Sequence, residues 1–249
     1  MFKKRINTKK ILAILGVTIL LAGNVGCALD PEEYYYKNEI DKAIEYLEEK
    51  YGDHFIGVGY ENADLLSTTD TVYCYEENMN PDEEKVLVYI NRANGEVKYS
   101  DNYFGYVVRP EVETWISDIV KTEFDDVKVY QSKDLGVYPD DLTKENNLDD
   151  LFELEPHYFI HTTIYVNGDK NMTKEEYEEK TKALEKLFME TGKFMGINIY
   201  VVNNEVYEQM NRYSWDEFWF MFEKLPKVDG EICYHLYEKS FYEGEIQPY

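Results

Sequence analysis

The sequence predicts an α+β fold of two small domains, each an antiparallel sheet with its own helices. Short runs rich in Val, Ile and Tyr recur along the chain with Gly- and Asn-bearing turns between them, which is the pattern of strands. Between them lie segments whose apolar residues repeat at helical spacing and start at capping residues. Over residues 133–155 the composition shifts to turn formers and acids, as in Lys133-Asp134-Leu135-Gly136, Tyr138-Pro139-Asp140-Asp141, Asp149 and Asp150. A stretch of that kind separates domains. The domains are expected at 27–132 and 156–249, behind an amino-terminal segment of residues 1–26.

The first helix is expected from Pro31 to Tyr51. Asp30 offers an N-cap oxygen, Pro31 sits where a missing N–H is not needed, and Glu33 completes a capping box. Ile40, Ala43, Ile44, Leu47 and Tyr51 share one face, and Gly52 ends the helix. Strands follow at His54 to Tyr60, Thr71 to Tyr75 and Lys85 to Asn91. Ala93-Asn94-Gly95 turns the chain into a partner strand from Glu96 to Tyr99. Pro110 reads as the start of a second helix, whose apolar face holds Val112, Trp115, Ile116, Ile119, Val120 and Phe124. Val127 to Gln131 is a short strand, and Leu148 to Leu154 a short helix inside the expected linker.

In the second half, Tyr158, Ile160, Thr162, Ile164 and Val166 alternate on the core face of a strand. Thr173 and Glu176 form a capping box, Tyr177, Leu184, Leu187 and Phe188 line the helix behind it, and Gly192 closes it. Ile197, Ile199 and Val201 mark a strand. Asn203-Asn204 reads as a hairpin turn returning through Val206 and Met210. Ser214 with Glu217 caps a helix from Trp215 to Lys224, and Ile232 to Tyr237 is the last strand. That order, βαββαβ, is the ferredoxin-like arrangement.

Lys3, Lys4, Arg5, Lys9 and Lys10 precede an apolar run of 13 residues, Ile11 to Gly23, and then Asn24-Val25-Gly26-Cys27. As a helix that run reaches about 20 Å, short of the roughly 30 Å of a bilayer core, and a basic head before such a run is the pattern of a secretory signal peptide. Small residues before a cysteine resemble the lipobox of bacterial lipoproteins, with Asn24 where that family prefers Leu. The resemblance implies cleavage before Cys27, diacylglycerol (palmitate-type) lipid on its sulfur, and a chain held on the extracytoplasmic face of the cell membrane. The alternative is an ordinary secreted chain with Cys27 incidental. Cleavage takes five positive charges from a chain of net charge −24 and leaves −29. A body so acidic is ill suited to nucleic acid, which is bound through Lys and Arg, and is repelled by anionic lipid. Membrane residence therefore falls to the acyl chains.

Candidate sites are few. His157 and His161 lie four apart on a strand, about 13 Å at 3.3 Å per residue. If the last strand lies beside theirs, one of them could meet Cys233 and His235 on an open sheet face as a transition-metal set. The favoured reading is scattered histidines on an amphipathic face. Trp215, Phe218, Trp219 and Phe222 share one face of the 215–224 helix and Phe220 and Met221 fall outside it, so the helix is apolar nearly all round, which suits packing between the halves or a partner surface. Asn167, Asp169, Asn171 and Glu178 carry a partial calcium-loop spacing, but Met172 stands where such a loop needs Gly. Cys74 and Cys233 are left either as one disulfide or as small buried apolar groups. No G-x-S-x-G, H-E-x-x-H or phosphate-loop motif is present. No catalytic residue or cofactor is nominated. The expected role is a non-enzymatic binding module with an envelope protein partner, or else a ligand- or metal-binding lipoprotein using the open sheet face.

Overall fold

The computed structural model describes residues 31–63, 68–81, 83–93, 95–132, 136–168, 172–213, 233–242 and 245–247. They form an α+β fold with two sheets. Helix α1 (Pro31–Tyr51) runs to the expected end, where Gly52 takes a positive φ of 72° that other residues adopt only with strain. Strands β1 (Phe55–Glu61), β2 (Thr69–Glu76), β3 (Val86–Ala93) and β4 (Glu96–Asp101) form an antiparallel sheet in chain order. Burial alternates along β2 and β3. Val72, Cys74, Val86, Val88 and Ile90 face the core, while Tyr73, Tyr75 and Tyr89 are half-exposed on the other face. That face uses part of the chain's complement of 24 tyrosines.

Helix α1 lies against this sheet at close range. Its Ala43, Leu47 and Tyr51, spaced by one turn, are buried. A Cβ on Gly57 would overlap Ile40 Cγ2, so only glycine admits the helix at that separation. Arg92 of β3 pairs with both Glu39 of α1 and Asp70 of β2.

Helix α2 (Tyr103–Val120) starts seven residues before Pro110, which lies exposed inside it. The cause is Asp101. Its carboxylate Oδ1 accepts the Tyr103 N–H at 2.8 Å, satisfying a free donor of the first turn. It also accepts the Tyr51 hydroxyl at 2.8 Å, while Oδ2 accepts the Tyr46 hydroxyl at 2.8 Å and the Lys50 ammonium at 2.9 Å. Asp101 is fully buried, and these four donors match the roughly four acceptor sites of a carboxylate. Phe104, Val108, Val112, Ile116 and Val120 of α2 are buried.

The second sheet has the order β5-β6-β7-β8-β9: β5 (Val127–Gln131), β6 (Phe159–Asn167), β7 (Phe194–Val202), β8 (Cys233–Tyr242) and β9 (Glu245–Gln247). Helix α3 (Leu148–Leu154) precedes β6. Helix α4 (Lys174–Glu190) joins β6 to β7, which are parallel neighbours, and begins at the expected Thr173–Glu176 capping box. Residues expected as a returning strand form helix α5 (Asn204–Gln209), because the Asn203 side chain accepts the Val206 N–H and caps a helix. The expected ferredoxin-like order places a strand between the two that α4 connects. Here β6 and β7 pair directly and β8 pairs with β7.

The sheets divide between β4 and β5, ahead of residues 133–155. That expected linker contributes buried Tyr138, Leu142, Leu148, Leu151 and Phe152, and one apolar cluster runs from Ala43 to Val201 through both sheets. Among the described residues no helix is long and apolar enough to cross a membrane.

Replacing Asp101 by Ala leaves the buried Lys50 ammonium and two tyrosine hydroxyls without their acceptor. Breaking a buried pair in this way costs about 3–5 kcal/mol. Urea unfolding should show that loss as a lower midpoint, whereas Tyr51→Phe, which removes one donor, should cost about 1 kcal/mol. Equal effects of the two substitutions would remove Asp101 from its central place.

Candidate functional site

The candidate histidine–cysteine group does not assemble. His161 is the register partner of Gly196, while His235 is the partner of Tyr200 and Cys233 of Val202. Gly196 and Tyr200 are four residues apart on β7, about 13 Å of strand. Strand β7 also stands between β6 and β8. His161 instead lies with its Nε2 2.9 Å from Asn198 Nδ2, and the exposed His157 sets its ring edge-on to Phe194 at 4.8 Å. Among the described residues no group of three His, Cys, Asp or Glu is placed to hold a metal ion.

The sheet face expected to be open is covered in part. Tyr165, Tyr200, Val202, Tyr207 and Met210 form a second apolar cluster there, with Tyr207 contributed by α5. Lys128 Nζ holds the end of α5 by donating to the Tyr207 and Met210 carbonyls at 2.6 and 3.0 Å. Of the partial calcium spacing, Asp169 and Asn171 lie outside the described residues. Asn167 Nδ2 donates to Asp126 and Asn204, and Glu178 lies exposed on α4. Asp150 completes the capping box of α3 with Asn147. Cys27, Trp215, Phe220 and Met221 lie outside the described residues.

A cleft of about 330 Å³ opens where α2, α3 and the turn after α4 meet. Helix α2 supplies Glu111 and Trp115, one turn apart on the same side. Helix α3 supplies Leu148, Asp149 and Phe152, and its first turn is tied to α2 by the Leu148 N–H donating to Glu111 Oε2 at 2.9 Å. Gly192, at φ 64°, ends α4 and places Thr191 and Lys193 on the third wall. The Thr191 hydroxyl donates to the Phe188 carbonyl at 2.7 Å and accepts the Lys193 N–H at 3.2 Å, which fixes the turn. Trp115 and Phe152 meet edge to face at 6.1 Å, a favoured aromatic geometry. The Lys193 ammonium stands 3.8 Å from the Phe152 ring centre, an attractive cation–π position.

Sequence reasoning placed Trp115 on a buried helix face and Asp149 in a linker, and it did not bring the three walls together. The available signal was the short amphipathic helix at 148–154 within an otherwise charged stretch.

Burial sets the protonation of several groups in the core. It pushes the Cys74 thiol up to about 12, so this fully buried cysteine stays a neutral free thiol. The Tyr46 and Tyr51 phenols are driven well above the ordinary 10.0, first by burial and then by the neighbouring Asp101 carboxylate. Burial, then Tyr158, does the same to Tyr138.

The fold and cleft together define an α+β protein with a small, aromatic-floored cleft of mixed charge. No protein-family model matches the chain, and no curated protein matches it. Among solved structures it is similar to the crystal structure of a DUF5037 family protein from Ruminococcus gnavus ATCC 29149. The TM-score is 0.41 and the identity 16%, over 68% of this chain and 77% of that one.

The raised phenol values fix the sign of an alkaline transition. Unfolded tyrosines lose their protons near 10.0, while the folded chain keeps them on Tyr46, Tyr51 and Tyr138. This stabilisation is complete below that pH and is lost as pH rises beyond it. Tyrosinate absorbance should rise in two phases, the later one coinciding with loss of helical circular dichroism. In the same native protein at neutral pH, iodoacetamide followed by peptide mapping should leave Cys74 unmodified until denaturant is added.

Proposed function

We propose that this chain is a lipid-anchored extracytoplasmic protein of the cell envelope, held at the membrane through Cys27, whose body binds a partner without chemical turnover. The observation that carries the reading is the amino-terminal arrangement: a basic head, 13 apolar residues, and Asn24-Val25-Gly26 before Cys27. Helix α1 starting at Pro31 supports it, since a folded element begins within four residues of the lipidated cysteine. The acidic body supports it as well. At a net charge of −29 after cleavage, an anionic bilayer repels the chain, so two acyl chains do the anchoring.

A second reading, a small-ligand-binding lipoprotein, is favoured by the cleft at Trp115 and Phe152 rather than by the sheet face first expected.

Mass spectrometry of the membrane-extracted protein should find a mature chain beginning at Cys27 with a diacylglycerol-sized adduct. The Cys27→Ser variant should lose the adduct and leave the membrane fraction. An unmodified Cys27 in the membrane-bound chain overturns the anchoring. Surface crosslinking in cells should recover the same envelope protein repeatedly, and recovery of no specific protein overturns the partner role.

A further inference from the structure

We propose that the cleft between α2, α3 and the turn after α4 binds a compact zwitterion, namely an amino acid with an apolar or aromatic side chain. The proposal rests on the binding role above and gives it a ligand class.

The first argument is charge. Glu111 and Asp149 bring carboxylates to the cleft and Lys193 brings an ammonium. None of the three takes part in an ion pair among the described residues, although charges of both signs line one small space. In a chain with 50 acids and 26 bases, a cation without a carboxylate partner among the described residues is unexpected. The Phe152 ring engages the Lys193 ammonium instead, at 3.8 Å from the ring centre.

Two of the three positions are also held before any ligand arrives. The Leu148 N–H holds the Glu111 carboxylate, and the Phe152 ring with the Thr191 hydroxyl behind the backbone holds Lys193, while Asp149 lies exposed on the capped first turn of α3. A site arranged in advance loses less free energy to ordering on binding.

Shape and chemistry then select the ligand. The floor is apolar and aromatic, from Trp115, Phe152 and Leu148, and takes an apolar side chain. The two carboxylate positions on α2 and α3 receive an α-ammonium, and Lys193 receives an α-carboxylate. A polyphosphate is repelled by Glu111 and Asp149. A simple amine leaves Lys193 without a partner, and a neutral sugar uses neither charge. The volume of about 330 Å³ lies at the lower end of small-molecule sites.

The test is calorimetric titration of the full chain in detergent with L-phenylalanine and L-leucine. N-acetyl-L-phenylalanine, which lacks the ammonium, and L-phenylalaninamide, which lacks the carboxylate, serve as comparisons. The amino acids should bind saturably, and each blocked derivative at least about tenfold more weakly, a difference of about 1.4 kcal/mol. Lys193→Met should abolish the preference for phenylalanine over its amide, Lys193→Arg should retain it, and Asp149→Asn should weaken the preference over the acetylated form. Absence of saturable binding by either amino acid overturns the proposal. So does binding of both blocked derivatives to the unaltered chain as tightly as L-phenylalanine, a measurement that needs no variant to fold. Lipid on Cys27 is read separately by mass, so a lipidated chain that binds no zwitterion overturns this inference and leaves the anchoring intact.

Discussion

Asp101 is the constraint on which the architecture turns. It is the last residue of β4, it precedes α2, and it is completely removed from water. An isolated carboxylate in such a place is costly, and four donors from two helices offset that cost. Three of them, from Tyr46, Lys50 and Tyr51, lie on the last two turns of α1, and the fourth is the Tyr103 N–H of α2. The Asp101 carbonyl also accepts the Tyr138 N–H at 3.3 Å, which brings in the segment after the second sheet's first strand. One residue therefore fixes where α1 ends against the sheet and where α2 begins. Tyrosine suits this role, since its ring fills apolar volume while its hydroxyl reaches the buried carboxylate.

What was legible in the sequence was mostly local. The stop of α1 at Gly52, strand β5 at 127–131, helix α3 at 148–154 and the Thr173–Glu176 capping box each depend on residues within a few positions of one another. The start of α2 was not legible, because its cap comes from an acid whose other partners lie some 50 residues earlier, while Pro110 offers a misleading start signal. The Asn203-Asn204 pair was ambiguous for a chemical reason. Asn serves tight turns and helix caps equally well, and only the Val206 N–H decides between them. Sheet order was the least accessible. Alternation tells which face of a strand is buried but not which strand lies beside it.

The candidate sites show the same division. The histidine group was built on strand periodicity, which correctly assigned Ile160 and Ile164 to the core, combined with an assumed neighbour that proved to be β7. With β7 between their strands, the register sets His161 and His235 four positions apart along β7. The cleft was invisible for the complementary reason. Its three walls come from positions near 111, 149 and 193, each unremarkable alone, and only the packing of α3 across α2 brings them together. Trp115 reads as a core residue because it lies on the apolar face of α2, yet it is only half-buried and meets Phe152 in the cleft.

The anchoring proposed for Cys27 and the cleft are mechanically related through the first helix. Four steps of extended chain from Cys27 to Pro31 span at most about 14 Å, so a lipid there holds the start of α1 close to the bilayer. The helix, about 31 Å long at 1.5 Å per residue, is then clamped at its far end by Asp101 and along its length by the close approach at Gly57. Asp101 also sets the start of α2, and α2 carries Glu111 and Trp115 on a stretch two to three turns further on. A path of helix, carboxylate and helix thus runs from the start of α1 to the cleft. On the proposed anchoring, the short reach from Cys27 to Pro31 restricts how far the opening of the cleft can turn relative to the membrane.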